Sequence, residues 1–293
     1  MADINFFTDS SSDMSFEFYE KYDIGVVPFY VTFDKKTYLK EKIDITISDF
    51  YQRMTKEKVF PSTSMPSVSD YIDAFRPKLA GGGDIVCICL TEKFSTSYNS
   101  AVSAAEELAA EFPGQKIRII DSKQASGGQG YALYQMQKMK EAGYETDQIC
   151  GRMDGILKNS RVFLTVDTLE YLQRGGRLGL LSALTGSLLQ IKPIITMRFG
   201  ELHPDGKVRG RQRAIERIIQ MTDDYLGDKR SQYDIGILHS VCIDEAKKLE
   251  LTMTSSGYEF AQPIIELGTT IGAHIGPSVI GIVTVPRFDS EIS

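Results

Sequence analysis

Three times in its first 130 residues the chain runs a short apolar segment straight into a turn of small polar residues that opens a helix. INFFT at 4–8 passes into TDSSSD, DIVCICL at 84–90 into TEKFSTS, and KIRIID at 116–121 into DSKQASGGQG. Helical patterns beginning at Ser15, Thr46, Ser67, Ser100 and Gly130 separate or follow these segments. Strands alternating with helices of this length argue for a parallel sheet with helical crossovers. In open α/β sheets, ligands bind beyond the carboxyl ends of the strands, beside helix N-termini. Three such turns therefore point to a polar-ligand site, although each alone also reads as helix capping by Ser, Thr and Asp. Asp9 and Asp13, in the first turn, could hold a cation, but Asp and Ser are ordinary capping residues and capping is the favoured reading.

The second half mixes patterns. RVFLTV at 161–166 reads as a strand, and LEYLQRGGRLG as a helix that stops at Gly175 or Gly176. IKPIITMRF and ELHPDGKVRGR follow, with the PDG run at 204–206 read as a hairpin turn. An amphipathic helix (AIERIIQMTDDYLG), a strand at 234–240, a further helix and the apolar tail PIIELGTTIGAHIGPSVIGIVTV complete the chain. At 293 residues there is room for one large domain or two medium ones. The expectation is an α/β protein of two α/β domains. Residues 1–158 form the first, with a mostly parallel sheet and helical crossovers. Residues 159–293 form the second, with a mixed sheet and helices, the last strand being free to pack on either domain.

Charge and motif content narrow the function. Lys and Arg number 33 against 39 Asp and Glu, a net charge of -6, which argues against a broad nucleic-acid surface. The start, MADINFFTDSSSD, is too acidic and polar for a signal peptide, and no apolar run approaches the ~18 residues of a membrane span, so the expected location is the cytoplasm. Cys87, Cys89, Cys150 and Cys242 fit neither a disulfide framework nor a zinc pattern. Cys87 and Cys89, two apart in an apolar strand, should share one core face. His203, His239 and His274 lack metal-ligand spacing. No GxSxG elbow is present; GELHPDGKV fails the phosphate-loop pattern, and SGGQGYAL does not match GxGxxG. No cofactor is expected.

Two hydroxyl clusters remain, STSMPS at 62–67 and FSTSYNSA at 94–101, with no His or Cys beside them. A hydroxyl next to a base suggests a nucleophile. Hydroxyls without one suggest donors that grip a ligand's oxygens.

Taken in order, TDSSSD at 8–13, these two clusters, LQRGGRLG at 172–179, GKVRGR at 206–211 and IGAHIGP at 271–277 resemble the DegV family of bacterial fatty-acid-binding proteins. The resemblance covers nearly the whole chain. It implies a long-chain fatty acid held between two α/β domains, its carboxylate gripped by hydroxyls and its tail in an apolar tunnel. It also implies a partner, an ATP-dependent fatty acid kinase that converts the presented carboxylate to an acyl phosphate, with the binding protein itself non-catalytic. By the same resemblance, Thr63, Ser64, Ser95, Thr96, Ser97 and His274 are the expected carboxylate-binding residues, and Arg177 and Arg209 the expected docking residues for the kinase. Two positions depart from the family pattern: Thr96 and Ser278 stand where Gly is usual. Because a β-branched residue resists φ > 0, Thr96 is expected to reshape the turn beneath the head group.

Burial of a methylene contributes ~0.8 kcal/mol, so the acyl tail dominates affinity and the hydroxyls set orientation. Tunnel candidates in the apolar second half are Phe163, Leu169, Leu172, Leu181, Leu184, Leu188 and Ile194, each of which reads equally as ordinary core. Two competing functions are a serine-dependent lipid hydrolase or acyltransferase using Ser95 or Ser97 with His274, and a small-molecule sensor on the same fold. The missing elbow and the lack of a group to orient His274 weigh against the hydrolase.

Overall fold

The computed structural model describes residues 3–184 and 190–291. The elements run β1 (Ile4–Asp9), α1 (Phe16–Lys21), β2 (Gly25–Val27), β3 (Tyr30–Thr32), β4 (Leu39–Lys40), α2 (Ile47–Lys56), β5 (Ser62–Ser64), α3 (Val68–Ala80), β6 (Asp84–Cys89), α4 (Ser97–Glu111), β7 (Ile117–Asp121), α5 (Gly127–Glu141) and α6 (Thr146–Lys158). They continue as β8 (Arg161–Thr165), α7 (Glu170–Arg174), β9 (Ile191–Arg198), β10 (Glu201–Arg209), α8 (Arg211–Leu226), β11 (Tyr233–His239), α9 (Ile243–Ser255), β12 (Ile265–Glu266), α10 (Thr269–Ile275) and β13 (Ile280–Pro286).

The first sheet is parallel throughout, in the order β2-β1-β6-β7. β1 and β6 are buried along their whole length, as strands covered on both faces must be. One face, with Phe7, Ile85, Cys87 and Cys89, packs on α3 and α4. The other, with Phe6, Val86 and Ile88, packs on α5 and α6. The thiols of Cys87 and Cys89 lie 3.7 Å apart on their shared face. α3 starts at the expected capping box, in which the Ser67 and Asp70 side chains each accept from the other's backbone N–H.

The second sheet is mixed, in the order β10-β9-β8-β13-β11-β12, with only β11 and β12 parallel. Side chains alternate across it. Val162, Leu164, Ile195 and Met197 face the core that also takes in the α5–α6 side of the first sheet. Phe163, Ile194 and Ile282 face α8 and α9. A three-stranded antiparallel sheet, β4-β3-β5, is inserted between β2 and α3. Its Val31 packs with Phe50, Tyr51 and Met54 of α2 and with Ala273 of α10.

Several local expectations are corrected. The stretch VVPFYVTF at 26–33 divides at Pro28 between β2 and β3, which join different sheets. α4 and α5 begin three residues earlier than the patterns at Ser100 and Gly130 suggest, at Ser97 and Gly127. α6 was not anticipated. The β9–β10 hairpin turns at Phe199 and Gly200, both at positive φ (53° and 87°), and not at PDG. Pro204–Gly206 instead forms a register shift within β10, an edge strand, where a missing proline N–H costs no ladder bond to a further strand. Among the described residues, no helix is long and apolar enough to cross a membrane.

Candidate functional site

A cavity of about 490 Å³ opens where the carboxyl ends of the parallel strands meet the core-facing side of the second sheet. The turn after β6 supplies Ser95 and Thr96, the turn after β7 supplies Ala125 and Ser126, β5 supplies Thr63 and Ser64, and α10 supplies Thr270, Ile271, His274 and Ile275. Val162 and Leu164 of β8, Met197 of β9, Leu202 of β10 and Leu238 of β11 line it from the second sheet. Val162 pairs with Met197, and Met197 with Leu202, so these side chains form a continuous apolar strip across three strands. Two of the three polar turns read from the sequence therefore border the cavity. The first, TDSSSD, does not line it.

The hydroxyl-rich end is ordered by main-chain placement. Thr63 Oγ1 and His274 Nε2 lie 2.7 Å apart, joining β5 to α10. Burial, reinforced by the Arg177 charge, pushes the His274 imidazole down to about 4, so the ring is neutral at physiological pH. His274 Nδ1 abuts Gly175, where any Cβ would collide with it. Ser95 Oγ accepts from Ser97 N at 3.1 Å. The N-terminal turn of α4 starts here with no acidic residue in it, so the helix dipole favours an anion at this end of the cavity.

Of the six expected head-group residues, five line the cavity. Ser97 is turned away, its hydroxyl donating to Asp9 Oδ2 at 2.9 Å. Thr96 has φ -86°, an ordinary conformation for a β-branched residue, so this turn holds no left-handed residue there. Ser278, the other departure, does sit at φ 66°. Arg177 lines the cavity and is half-buried, with Nε donating to the Phe94 carbonyl (3.1 Å) and Nη1 to the Gly175 carbonyl (2.6 Å). Arg209 is exposed near the end of β10.

The tunnel candidates separate by strand phase. Leu172 lines the cavity. Leu169, Leu181 and Leu184 pack in the same core without lining it. Phe163 and Ile194 point to the opposite face, against α8 and α9. Leu188 lies outside the described residues. Residues that the sequence reading missed are Val162, Leu164, Met197, Leu202 and Leu238, one position out of phase with or distant from those chosen.

Behind the wall lie buried carboxylates. Asp9 accepts from Ser11 Oγ (2.6 Å), Ser97 Oγ (2.9 Å), Leu90 N (2.9 Å) and Gln129 Nε2 (3.0 Å), which ties β1 to β6, α4 and α5. Burial raises its pKa while all four donors lower it, so the site is a filled structural network. Asp13 and Glu41 form a second buried group beside α10. Among the described residues, no group of three or more His, Cys, Asp or Glu is placed to hold a metal ion.

Comparison with known proteins agrees along the full length. The model of a family described as uncharacterised protein, DegV family, matches residues 3–287. A DegV domain-containing protein of Clostridium acetobutylicum is 32% identical over 279 residues, covering 95% of this chain and 96% of that one. A stearic acid-binding protein from Eubacterium ventriosum superposes with a TM-score of 0.93 at 32% identity, over 99% of each chain. A fatty acid-binding DegV family protein from Thermus thermophilus does so with 0.89 at 28% identity, over 98% of this chain and all of that one.

Proposed function

The chain belongs to the DegV family, and on that premise we propose that it binds a long-chain fatty acid in this cavity and presents the carboxylate to a separate ATP-dependent fatty acid kinase for acyl-phosphate formation. The observation that carries the reading is the cavity's division into a hydroxyl and imidazole end and a wall of Val, Leu, Met and Ile side chains. A sixteen-carbon tail gains on the order of 10 kcal/mol gross from burial, against association costs of similar size. Each hydrogen bond from Thr63, Ser64 or Ser95 to the carboxylate adds about 1.5–3 kcal/mol. Those donors are neutral, so they hold the anion without enclosing it in a tight ion pair, and Arg177 spends two of its N–H groups on carbonyls. Solved relatives described as binding stearic acid or fatty acid support the ligand class.

Hydrolysis by Ser95 and His274 has weaker support. The His274 Nε2 hydrogen bond runs to Thr63, Ser95 Oγ accepts from a backbone amide, and Nδ1 faces Gly175 rather than an orienting carboxylate.

Native mass spectrometry of the purified protein, followed by denaturing lipid extraction, tests the reading. Stoichiometric, non-covalent fatty acid is expected; an empty protein or a ligand without a carboxylate overturns it. In the kinase step, Arg209 docks an acidic partner surface, with Arg177 contributing from the cavity rim. Arg209→Glu should slow kinase-dependent turnover and leave lipid affinity intact, whereas loss of lipid binding would assign Arg209 to the pocket.

A further inference from the structure

The cavity wall formed by α10 is held from behind by Glu41. Its carboxylate accepts from the Thr270 backbone N–H (2.9 Å), from Thr270 Oγ1 (2.6 Å) and from Ser10 Oγ (2.5 Å). Thr270 itself lines the cavity, so Glu41 stands one side chain behind any ligand. Asp13 stands next to it. Asp13 Oδ1 and Glu41 Oε1 each lie 2.5 Å from the point that a Cβ on Gly268 would occupy, which leaves room there only for glycine and sets the two carboxylates within strong Coulomb range of each other. Both residues are buried, and neither Asp13 oxygen has a hydrogen-bond partner at ordinary distance. Ser126 Oγ, likewise buried and unpartnered, belongs to a second cavity-lining residue that adjoins Asp13.

A buried carboxyl beside a second carboxylate does not ionise readily. Burial first, then the Glu41 charge, push Asp13 up to about 8, against the Lys42 charge, the Ser126 hydroxyl and the Gly268 N–H, which all lower it. The other groups facing the pair are Lys42, whose ammonium also donates to the Met14 carbonyl (3.2 Å), Tyr19 on α1 and Tyr51 on α2, with Glu266 on β12 behind Tyr51. Burial pushes both tyrosines far above neutrality, so neither titrates near pH 8. α5 contributes no acidic residue in its first turn, and on α10 the nearest titratable side chain, His274, is neutral.

We propose that Asp13 keeps a proton beside the Glu41 carboxylate, and that this proton is what lets α10 present Thr270 and His274 to an anionic ligand. The pair are positioning residues: they touch neither ligand nor partner, and act through Thr270 and the N-terminus of α10. This rests on the fatty-acid reading of the cavity. An anion in the cavity raises the affinity of Asp13 for its proton. Once the free protein has lost that proton, above about pH 8, binding must take one up, and affinity then falls by up to about tenfold per pH unit. Below that pH the proton is already in place and affinity is level. For the ligand-free protein the sign is set by the raised folded value: the folded state keeps a proton that the unfolded chain releases near 3.8, so stability contributed here is lost as pH rises from about 4 to about 8.

Equilibrium binding of radiolabelled stearate from about pH 7 to about pH 9.5, with wild type beside Asp13→Asn, tests the inference. Asn tolerates the left-handed backbone that Asp13 adopts (φ 54°) and stands in for the protonated acid. Wild-type affinity should fall by about threefold or more across the range, and that of Asp13→Asn should stay level. A level wild-type profile, or the same fall in both proteins, overturns it, the second outcome because the ligand's own solution behaviour is common to both. Thermal denaturation of the delipidated proteins provides a readout that needs no ligand. Wild type should lose more stability than Asp13→Asn between about pH 5 and about pH 8, and parallel curves overturn the proton on Asp13. Absence of stearate binding at pH 7 with divergent stability curves would strike the fatty-acid reading and leave the proton in place. If Asp13→Asn does not fold, calorimetry of the wild type in buffers of different ionisation enthalpy takes its place: proton uptake on binding near pH 8.5 is expected, and none overturns the inference.

Discussion

Thr63 meets His274 across 211 positions of sequence, and neither can do the other's work. Thr63→Val keeps the shape and removes the hydroxyl. Losing one hydrogen bond to a charged group costs about 1.5–3 kcal/mol, so fatty-acid affinity should fall by about tenfold or more in a direct binding assay, with little change in melting temperature. Ser278 presents the opposite case. It is held at φ 66° by the Ser278 N–H to Ser240 carbonyl bond (2.8 Å), while the Ser240 hydroxyl donates to the Gly276 carbonyl and accepts from Val279 N. A side chain in the left-handed region costs about 1–2 kcal/mol, part of which glycine's extra unfolded-state freedom offsets. Ser278→Gly should therefore raise stability by about 0.5–1 kcal/mol in chemical denaturation. Of the single residues that a motif carried, Thr63, Ser95 and His274 line the cavity. Glu41 and Asp13 were not legible as a pair, because the partner that brings them together, Gly268, lies more than 200 positions away and is one of 25 glycines.

At the level of elements, the alternation of strands and helices was readable, and the strand that faces the cavity was not. Both faces of the second sheet are apolar, one toward the cavity and one toward α8 and α9, so hydrophobicity along β8 and β9 gives no phase. Phe163 and Ile194 were picked for bulk; Val162, Leu164 and Met197 line the cavity. α6 escaped notice because Gly151, Gly155 and four charged residues interrupt its apolar spacing, although Ile149, Met153, Ile156 and Leu157 are buried. The phase has a measurable consequence. Phe163→Ala should cost about 3–5 kcal/mol of stability and leave ligand affinity, per folded molecule, unchanged. Leu164→Phe should do the reverse, shortening the chain length that lipid extraction recovers while costing about 1–3 kcal/mol from overpacking. Equal effects of the two on recovered lipid would place the cavity on the wrong side of the sheet.

For the whole molecule, a division at 158/159 separates the two large sheets along the chain, yet one hydrophobic cluster runs through both by way of α5 and α6. We propose the two sheets as structural domains that unfold together, and a single calorimetric transition is the expected result; two resolved transitions would make them independent. Ligand in the cavity touches both, so it should shift that transition as a unit. At a hundredfold excess over Kd the stabilisation is about 2.7 kcal/mol, or about 4–5 °C for a chain of this size. The small sheet β4-β3-β5 belongs to neither large one. It brings Thr63 and Ser64 to the hydroxyl end of the cavity, with Phe29 and Met65 beside them, and the loop after β4 brings Glu41 to the helix that carries His274, while Val162, Leu164, Met197, Leu202 and Leu238 of the apolar wall come from the second sheet. On the proposed reading, much of the tail's wall and part of the head-group end are written in different stretches of chain. Evolution, or a protein engineer, can exchange the segment between Pro28 and Pro66 like a cassette, changing how a head group is met while inheriting the second-sheet wall that measures the tail.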